Sequence, residues 1–359
     1  MQTLEYLYEN SPKIAHFLPR KLEISSKYSL LFGPPLCGKS TLALAHIWDF
    51  KSFLYVDLDD IRARVDLKSL AEFISARGID ALCIDNATSA NFCELNSIKQ
   101  KCPNADIIII SKDKALKIEH FCEYNLAGLD YEEFIAFFSK NYDESTIFTH
   151  FMSLGNSPKM ALAPSSEYLK HAYFAILSPL QRQILALIAP NCGENFSALG
   201  IFNTIKQEQK ISKDSFYSAL DELAKLGVIG FLDAFSKAGN SRLKRVYFSD
   251  FALRGVFSFS KNPRTLIANM LHCELALKDV YFTPALDFYL PNEHIGIIVA
   301  PFLSQDLCLM RVKKHLKEHI KLGLNEIIII SNSGTLSVNI DGVRVSILPF
   351  WRFVAGHLG

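Results

Sequence analysis

The chain has 359 residues, more than one ordinary domain holds, and two or three domains are expected. Hydrophobic residues make up 49% and charged residues 21%, which excludes a disordered chain and permits sizeable buried cores. Thirty-eight basic residues against 37 acidic ones leave a formal charge of +1, so any nucleic-acid or membrane contact must rest on a local patch. The opening MQTLEYLYENSPK lacks a basic region followed by an apolar one, and the longest apolar stretches are strand-sized. No signal peptide and no membrane span are expected. The eight cysteines include no C-x-x-C pair and read as reduced, mostly buried thiols, as in a cytoplasmic protein.

From about residue 28 to 130, short apolar runs alternate with helical patterns. Strands are predicted at 29–32, 53–57, 81–85, 106–111 and 125–129, with helices at 67–76 and 88–102. Near-continuous Ile/Leu/Val runs joined by helices indicate a parallel sheet covered on both faces, with any site at the carboxyl ends of its strands. After the first strand come Gly33-Pro34-Pro35-Leu36-Cys37-Gly38-Lys39-Ser40, spelling G-x-x-x-x-G-K-S, then Thr41 and a helix-forming run free of Gly and Pro. Strand, glycine-rich loop and helix in that order make a phosphate-binding P-loop. Its two glycines let consecutive N–H groups face phosphate oxygens, Lys39 reaches the β- and γ-phosphates, and the Ser40 hydroxyl can ligate Mg²⁺. The helix N-terminus adds its positive dipole.

Such a site needs an acidic strand end for the hydrated metal, and Ala81-Leu82-Cys83-Ile84-Asp85 supplies one. A Glu often follows to orient the attacking water, but here the next residue is Asn86, which can position a water without taking its proton. Slow hydrolysis or a substitute base is therefore expected. That base could lie in Val56-Asp57-Leu58-Asp59-Asp60-Ile61-Arg62, at the carboxyl end of the strand at 53–57, with Asp59 the leading candidate; alternatively Asp59 and Asp60 cap the following helix. Ser111 ends the run Ile107-Ile108-Ile109-Ile110, where a polar residue could contact the γ-phosphate. The sequence identifies no arginine finger for the transition-state charge; Arg62 and Arg64 are possible by position alone.

Residues 130–170 look helical. Helices at 180–189, 197–207 and 212–226, a strand at 228–232, a polar turn and a strand at 244–248 give three helices and a hairpin, the order of a winged helix-turn-helix. Mixed α/β follows, with a helix at 264–276, strands at 280–283, 286–290 and 296–300, a basic helix at 308–322 and closing strands from 326.

The P-loop, YVDLDDIRAR, ALCIDNA, IIIIS, the segment Leu126-Ala127-Gly128-Leu129-Asp130-Tyr131-Glu132-Glu133-Phe134 and the turn at Gly155-Asn156-Ser157-Pro158 together resemble the AAA-type ATPases that carry a winged helix and a C-terminal restriction-endonuclease-like domain of unknown function. The likeness is specific over residues 25–160. It implies a P-loop NTPase α/β domain at 1–165, a winged helix at 171–250 and a small restriction-endonuclease-like α/β domain at 262–359, with ATP and Mg²⁺ as cofactors. Asn86 replaces the family's usual Glu, and Gly128 a usual Pro.

A winged helix suggests DNA, but its candidate recognition helix sets Lys213 and Lys225 against Asp214, Asp221 and Glu222, too acidic for a phosphate-facing surface. The wing is better supplied, with Lys237, Arg242, Lys244 and Arg245. A nuclease needs an Asp and a Glu-x-Lys on adjacent strands. Asp287 matches the first, with Glu274 as a possible third acid, but Gly296-Ile297-Ile298-Val299-Ala300 has neither acid nor lysine. The expected function is an ATP-binding protein whose Mg²⁺-dependent, slow hydrolysis serves as a conformational switch, with a protein partner possible. An ATP-responsive DNA-binding regulator is the alternative, and a nuclease is disfavoured.

Overall fold

The computed structural model describes residues 2–357 apart from 13, 15, 16, 63, 64, 139–141, 166, 237–242 and 333. The chain divides into two compact units, Met1–Gly128 with Ala224–Val228, and Leu129–Leu223 with Ile229–Gly359.

The first unit runs α1 (Gln2–Glu9), β1 (Tyr28–Phe32), α2 (Lys39–Trp48), β2 (Phe53–Asp57), α3 (Leu67–Arg77), β3 (Ala81–Ala87), α4 (Phe92–Lys101), β4 (Asp106–Ser111) and β5 (Cys122–Asn125). Its five strands are all parallel in the order β2-β3-β4-β1-β5, so the P-loop strand sits between β4 and the edge. This is the α/β fold of P-loop NTPases. The central strands read LLF, LCI and IIII because both faces are covered. Leu30, Leu54, Val56, Leu82, Ile84 and Ile107 pack towards α3 and α4, while Leu31, Cys83 and Ile108 pack towards α2.

Two boundaries differ from expectation. The last strand is Cys122–Asn125, not 125–129, because an exposed edge tolerates polar residues and carries no apolar run; Leu126 and Leu129 are buried from the loop beyond it. The helix expected at 88–102 starts with a short 3-10 turn at Ser89–Asn91, closed by a reciprocal Thr88–Asn91 capping pair.

In the second unit, α5 (Tyr131–Phe138), α6 (Glu144–Leu154), α7 (Pro158–Leu162) and α8 (Tyr168–Ile176) precede α9 (Pro179–Ile188), α10 (Ala198–Glu208) and α11 (Lys213–Lys225). An antiparallel pair follows, β6 (Ile229–Asp233) with β7 (Lys244–Phe248). Then come α12 (Leu253–Phe257), α13 (Pro263–Glu274), β8 (Phe288–Leu290), β9 (Ile295–Val299), α14 (Gln305–Lys314), α15 (Leu316–Lys321), β10 (Glu326–Ile330), β11 (Leu336–Ile340), β12 (Val343–Leu348) and α16 (Phe350–His357). The sheet order is β11-β12-β10-β9-β8, with β9, β10 and β12 parallel and an antiparallel strand at each edge. The strand expected at 280–283 is reduced to isolated bridges at Tyr281 and Phe282. The basic helix expected at 308–322 is two helices that meet at His315, whose φ of −108° and ψ of 11° interrupt the first.

Candidate functional site: a phosphate-binding loop and its acidic partners

The loop after β1 is shaped by what cannot carry a side chain. A Cβ on Gly33 would fall 2.1 Å from the Leu126 carbonyl oxygen and 2.9 Å from Cys37 Sγ, so only glycine lets the loop pass the segment after β5. Gly38 takes a φ of 97° where the loop enters α2, a conformation that penalises a Cβ. Lys39 opens the helix, so its first unpaired N–H groups and the positive end of its dipole converge on the loop. The Lys39 ammonium folds back to donate to the carbonyls of Gly33 (2.9 Å) and Pro34 (2.7 Å). Among the described residues it has no carboxylate partner, which leaves its charge available to an anion. Pro34, Pro35 and Leu36 complete the curl, Leu36 with φ 64°, and Thr41 is exposed on the first turn of α2. Cys37 is buried beneath the loop.

A residue that motif spacing does not reveal fixes this loop from behind. Arg20, nine-tenths buried, donates to the carbonyls of Cys37 (2.8 Å), Ala127 (3.1 Å) and Gly128 (3.2 Å). It thereby ties the P-loop to the chain beyond β5.

The acidic partner lies at the end of β3. The Ser40 hydroxyl donates to Asp85 Oδ2 at 2.5 Å, and the Tyr55 hydroxyl donates to the same oxygen at 2.6 Å. Burial and the neighbouring Asp85 carboxylate push the Tyr55 hydroxyl far above its ordinary range, so it remains a donor. Asp85 is buried, and its Oδ1 accepts from the Asn86 backbone N–H at 2.7 Å. A hydroxyl and a carboxylate in contact at a helix start are hard oxygen donors suited to Mg²⁺. No group of three or more His, Cys, Asp or Glu able to hold a metal occurs among the described residues.

Asn86 sits in a β-bulge. The β3–β4 register pairs Ile84 with Ile109 and then Ala87 with Ser111, three steps against two. Its φ is 62°, a left-handed backbone that Asn adopts several times more readily than most residues. The bulge aims the Asn86 amide at Asp57, to which Nδ2 donates at 2.7 Å. Asp57 lies opposite Asp85 in the β2–β3 register.

The other expected site residues are differently placed. Asp59 is exposed and paired with Lys112. Asp60 accepts both ends of the Arg62 guanidinium, at 2.9 and 2.7 Å, which holds its carboxyl at about 2, below the usual range. Neither caps the next helix, since Asp66 accepts from Lys68 and Ser69 at the start of α3. Ser111 stands at the carboxyl end of β4, but its hydroxyl closes a turn, within reach of the Ala87 and Asp113 carbonyls and accepting from the Asp113 N–H. Arg62 is spent on Asp60, and Arg64 lies outside the described residues.

In the second unit, Asp287 is buried between two guanidiniums. Arg264 donates to its Oδ1 at 2.6 Å and Arg245 at 3.4 Å, while Oδ2 accepts from the Val299 N–H at 2.8 Å. Arg264 also pairs with Glu194. The carboxylate that would begin a nuclease metal site is thus neutralised by arginines. Glu274 is engaged elsewhere, accepting from the Tyr131 N–H. Of the residues expected to contact DNA, the Arg245 guanidinium lies over the Phe282 ring, 4.3 Å from its centroid, and faces Asp287 rather than solvent. Lys244 pairs with Asp233 at 3.2 Å. The hairpin itself joins the C-terminal part through Phe235 and Phe282, which exchange backbone bonds with Phe282 and Asp233. Lys237 and Arg242, the other two expected contacts, lie outside the described residues. No helix among the described residues is long and apolar enough to cross a membrane.

No family model matches the chain, and no curated protein matches its sequence. Among solved structures it is similar to a Walker-type ATPase of Pyrococcus abyssi, at 16% identity over 71% of this chain and 93% of that one, with a TM-score of 0.45. It is also similar to a STAND signal-transduction ATPase with a tetratricopeptide-repeat sensor from Pyrococcus horikoshii, at 16% identity over 88% of this chain and 52% of that one, with a TM-score of 0.33. A chain of the Drosophila ORC bound to DNA matches at 13% identity over 61% and 86%, with a TM-score of 0.21.

Proposed function

We propose that this chain binds ATP with Mg²⁺ at the carboxyl end of β1, hydrolyses it slowly, and uses the bound state as a conformational switch. One observation carries the proposal: the Ser40 hydroxyl meets the Asp85 carboxylate at the mouth of a P-loop whose lysine donates to loop carbonyls and the Cys37 sulfur and, among the described residues, to no carboxylate. Lys39 would exchange those carbonyls for the β- and γ-phosphates, and the N–H groups of Gly38, Lys39, Ser40 and Thr41 would receive phosphate oxygens. Ser40 and Asp85 would hold Mg²⁺, which neutralises charge on the transferring phosphoryl group when bound. Asn86 puts an amide where a proton-accepting carboxylate would directly follow Asp85, so a base has to come from another strand, which supports slow turnover and a long-lived ATP state.

Residues 171–250 are read as a winged helix and 262–359 as a restriction-endonuclease-like domain without its metal site. The engagement of Arg245 with Asp287 favours an internal or protein-facing role for this region over DNA contact. Free cysteines throughout the described chain support a reducing, cytoplasmic setting.

The test is equilibrium binding of ATP with and without Mg²⁺, and turnover with and without DNA, in wild type, Ser40→Ala and Asp85→Asn proteins. Mg²⁺ should tighten ATP binding to wild type by at least about tenfold, and both variants should lose that gain. Equal Mg²⁺ dependence in all three would remove Ser40 and Asp85 from the site. Turnover stimulated by DNA would favour the regulator instead.

A further inference from the structure

We propose that Asp57 takes the proton of the attacking water, the part that a Glu after Asp85 would play and that Asn86 cannot. The assignment rests on the hydrolytic reading above. Three observations converge on this carboxylate. First, it lies on the working face of the sheet. Leu54 and Val56 of β2 pack into the core under α3 and α4, whereas Tyr55 packs with Cys83 on the α2 side, and Asp57 continues that alternation beside Asp85.

Second, it is anchored on one oxygen only. Asp57 Oδ1 accepts from Asn86 Nδ2 at 2.7 Å and from the Asp59 N–H at 2.9 Å, while Oδ2 accepts no hydrogen bond from the described residues. Asp57 also borders a cavity of about 430 Å³ between β2 and the α1 segment, lined by Thr3, Tyr6, Tyr55, Asp60 and Arg62, so its carboxylate is open to solvent on that side. Third, every neighbouring carboxylate is committed. Asp85 serves Ser40, Tyr55 and its own strand, Asp59 pairs with Lys112, and Asp60 pairs with Arg62.

The bulge explains the division of labour. A left-handed residue at 86 swings its side chain towards β2, so the amide stands on β3 and the carboxylate on the adjacent strand. In the step itself, the water oxygen bonds to the γ-phosphorus as the bond to the bridging oxygen breaks. The electron pair leaves with ADP, and the water proton passes to Asp57 Oδ2 and then to solvent. ATP and water thus yield ADP, phosphate and a proton.

Asp57→Asn keeps an acceptor oxygen for both N–H donors and removes only the basic charge. Its turnover should fall by at least about 100-fold, in the range of general-base losses. Affinity for a non-hydrolysable ATP analogue should stay within about twofold, while affinity for ADP with aluminium fluoride should fall at least about tenfold, because only the latter mimics the transition state. A purely structural role would instead lower the melting temperature and both affinities together. Asn86→Ala, which leaves the carboxylate but removes its anchor, should lose about tenfold in turnover with the analogue still bound. Near-wild-type turnover in Asp57→Asn, or a loss seen only in Asp59→Asn, would overturn the assignment. A wild-type protein that binds the analogue yet neither turns over ATP nor captures ADP with aluminium fluoride would sink the hydrolytic reading itself.

Discussion

Replacing Arg20 by lysine isolates the clamp behind the P-loop. The guanidinium spans carbonyls on two segments, Cys37 on one side and Ala127 with Gly128 on the other. A lysine ammonium is one point on a flexible stem and can keep about one of those three bonds. Hydrogen bonds from charged donors are worth about 1.5–3 kcal/mol each, and two of these are long at 3.1 and 3.2 Å, so the expected loss is about 2–3 kcal/mol. The loop then has to be ordered when nucleotide binds, which costs about 1 kcal/mol, or roughly fivefold in affinity. Urea denaturation reads the first quantity and calorimetric titration with ATP the second. Arg20→Lys with an unchanged unfolding midpoint and unchanged affinity would refute the clamp.

Two further outcomes follow from buried charge in the second unit. Burial raises the Asp250 carboxyl from its ordinary 3.8 to about 6, against two N–H donors from Ala252 and Asn156 that oppose the shift. The folded state therefore binds this proton more tightly than the unfolded chain. The stabilisation is full below about pH 4 and is lost as pH rises through 6, at most about 3 kcal/mol in total. Asp250→Asn should flatten the fall in unfolding free energy between pH 4 and 7, and a slope that persists would remove Asp250 as its source. Asp287→Ala strips two arginines of their shared carboxylate and should cost about 3–5 kcal/mol with nucleotide affinity unchanged. DNA cleavage by the wild type with Mg²⁺, lost in this variant, would show instead that Asp287 belongs to a metal site.

The P-loop was legible because its spacing is its chemistry: glycines at 33 and 38 are required by close approach and by φ, and a lysine and a serine must follow. Asp85 was legible as the acidic end of an apolar strand. The link from Asn86 to Asp57 was not, since a one-residue bulge leaves no mark on the sequence ALCIDNA and depends on the register with β4. Asp59 and Asp60 drew attention as adjacent acids, but their partners Lys112 and Arg62 are set by loop packing. Arg20 is hidden because three backbone carbonyls impose no pattern on the residues that carry them. The setting of Arg245 is hidden for a related reason: period-two alternation in a hairpin cannot tell a solvent face from one covered by Phe282 and Asp287. The edge strand moved because exposure removed the apolar signal on which the boundary rested.

The most direct measurement is calorimetric binding of Mg²⁺-ATP to the wild-type protein and to Lys39→Ala. If the Lys39 ammonium meets the β- and γ-phosphates as proposed, its removal should weaken binding by at least about 100-fold, roughly 3 kcal/mol, with the melting temperature of the unliganded protein little changed. Equal affinity in the two proteins would contradict the account at its centre, because the loop would then not be where the nucleotide binds.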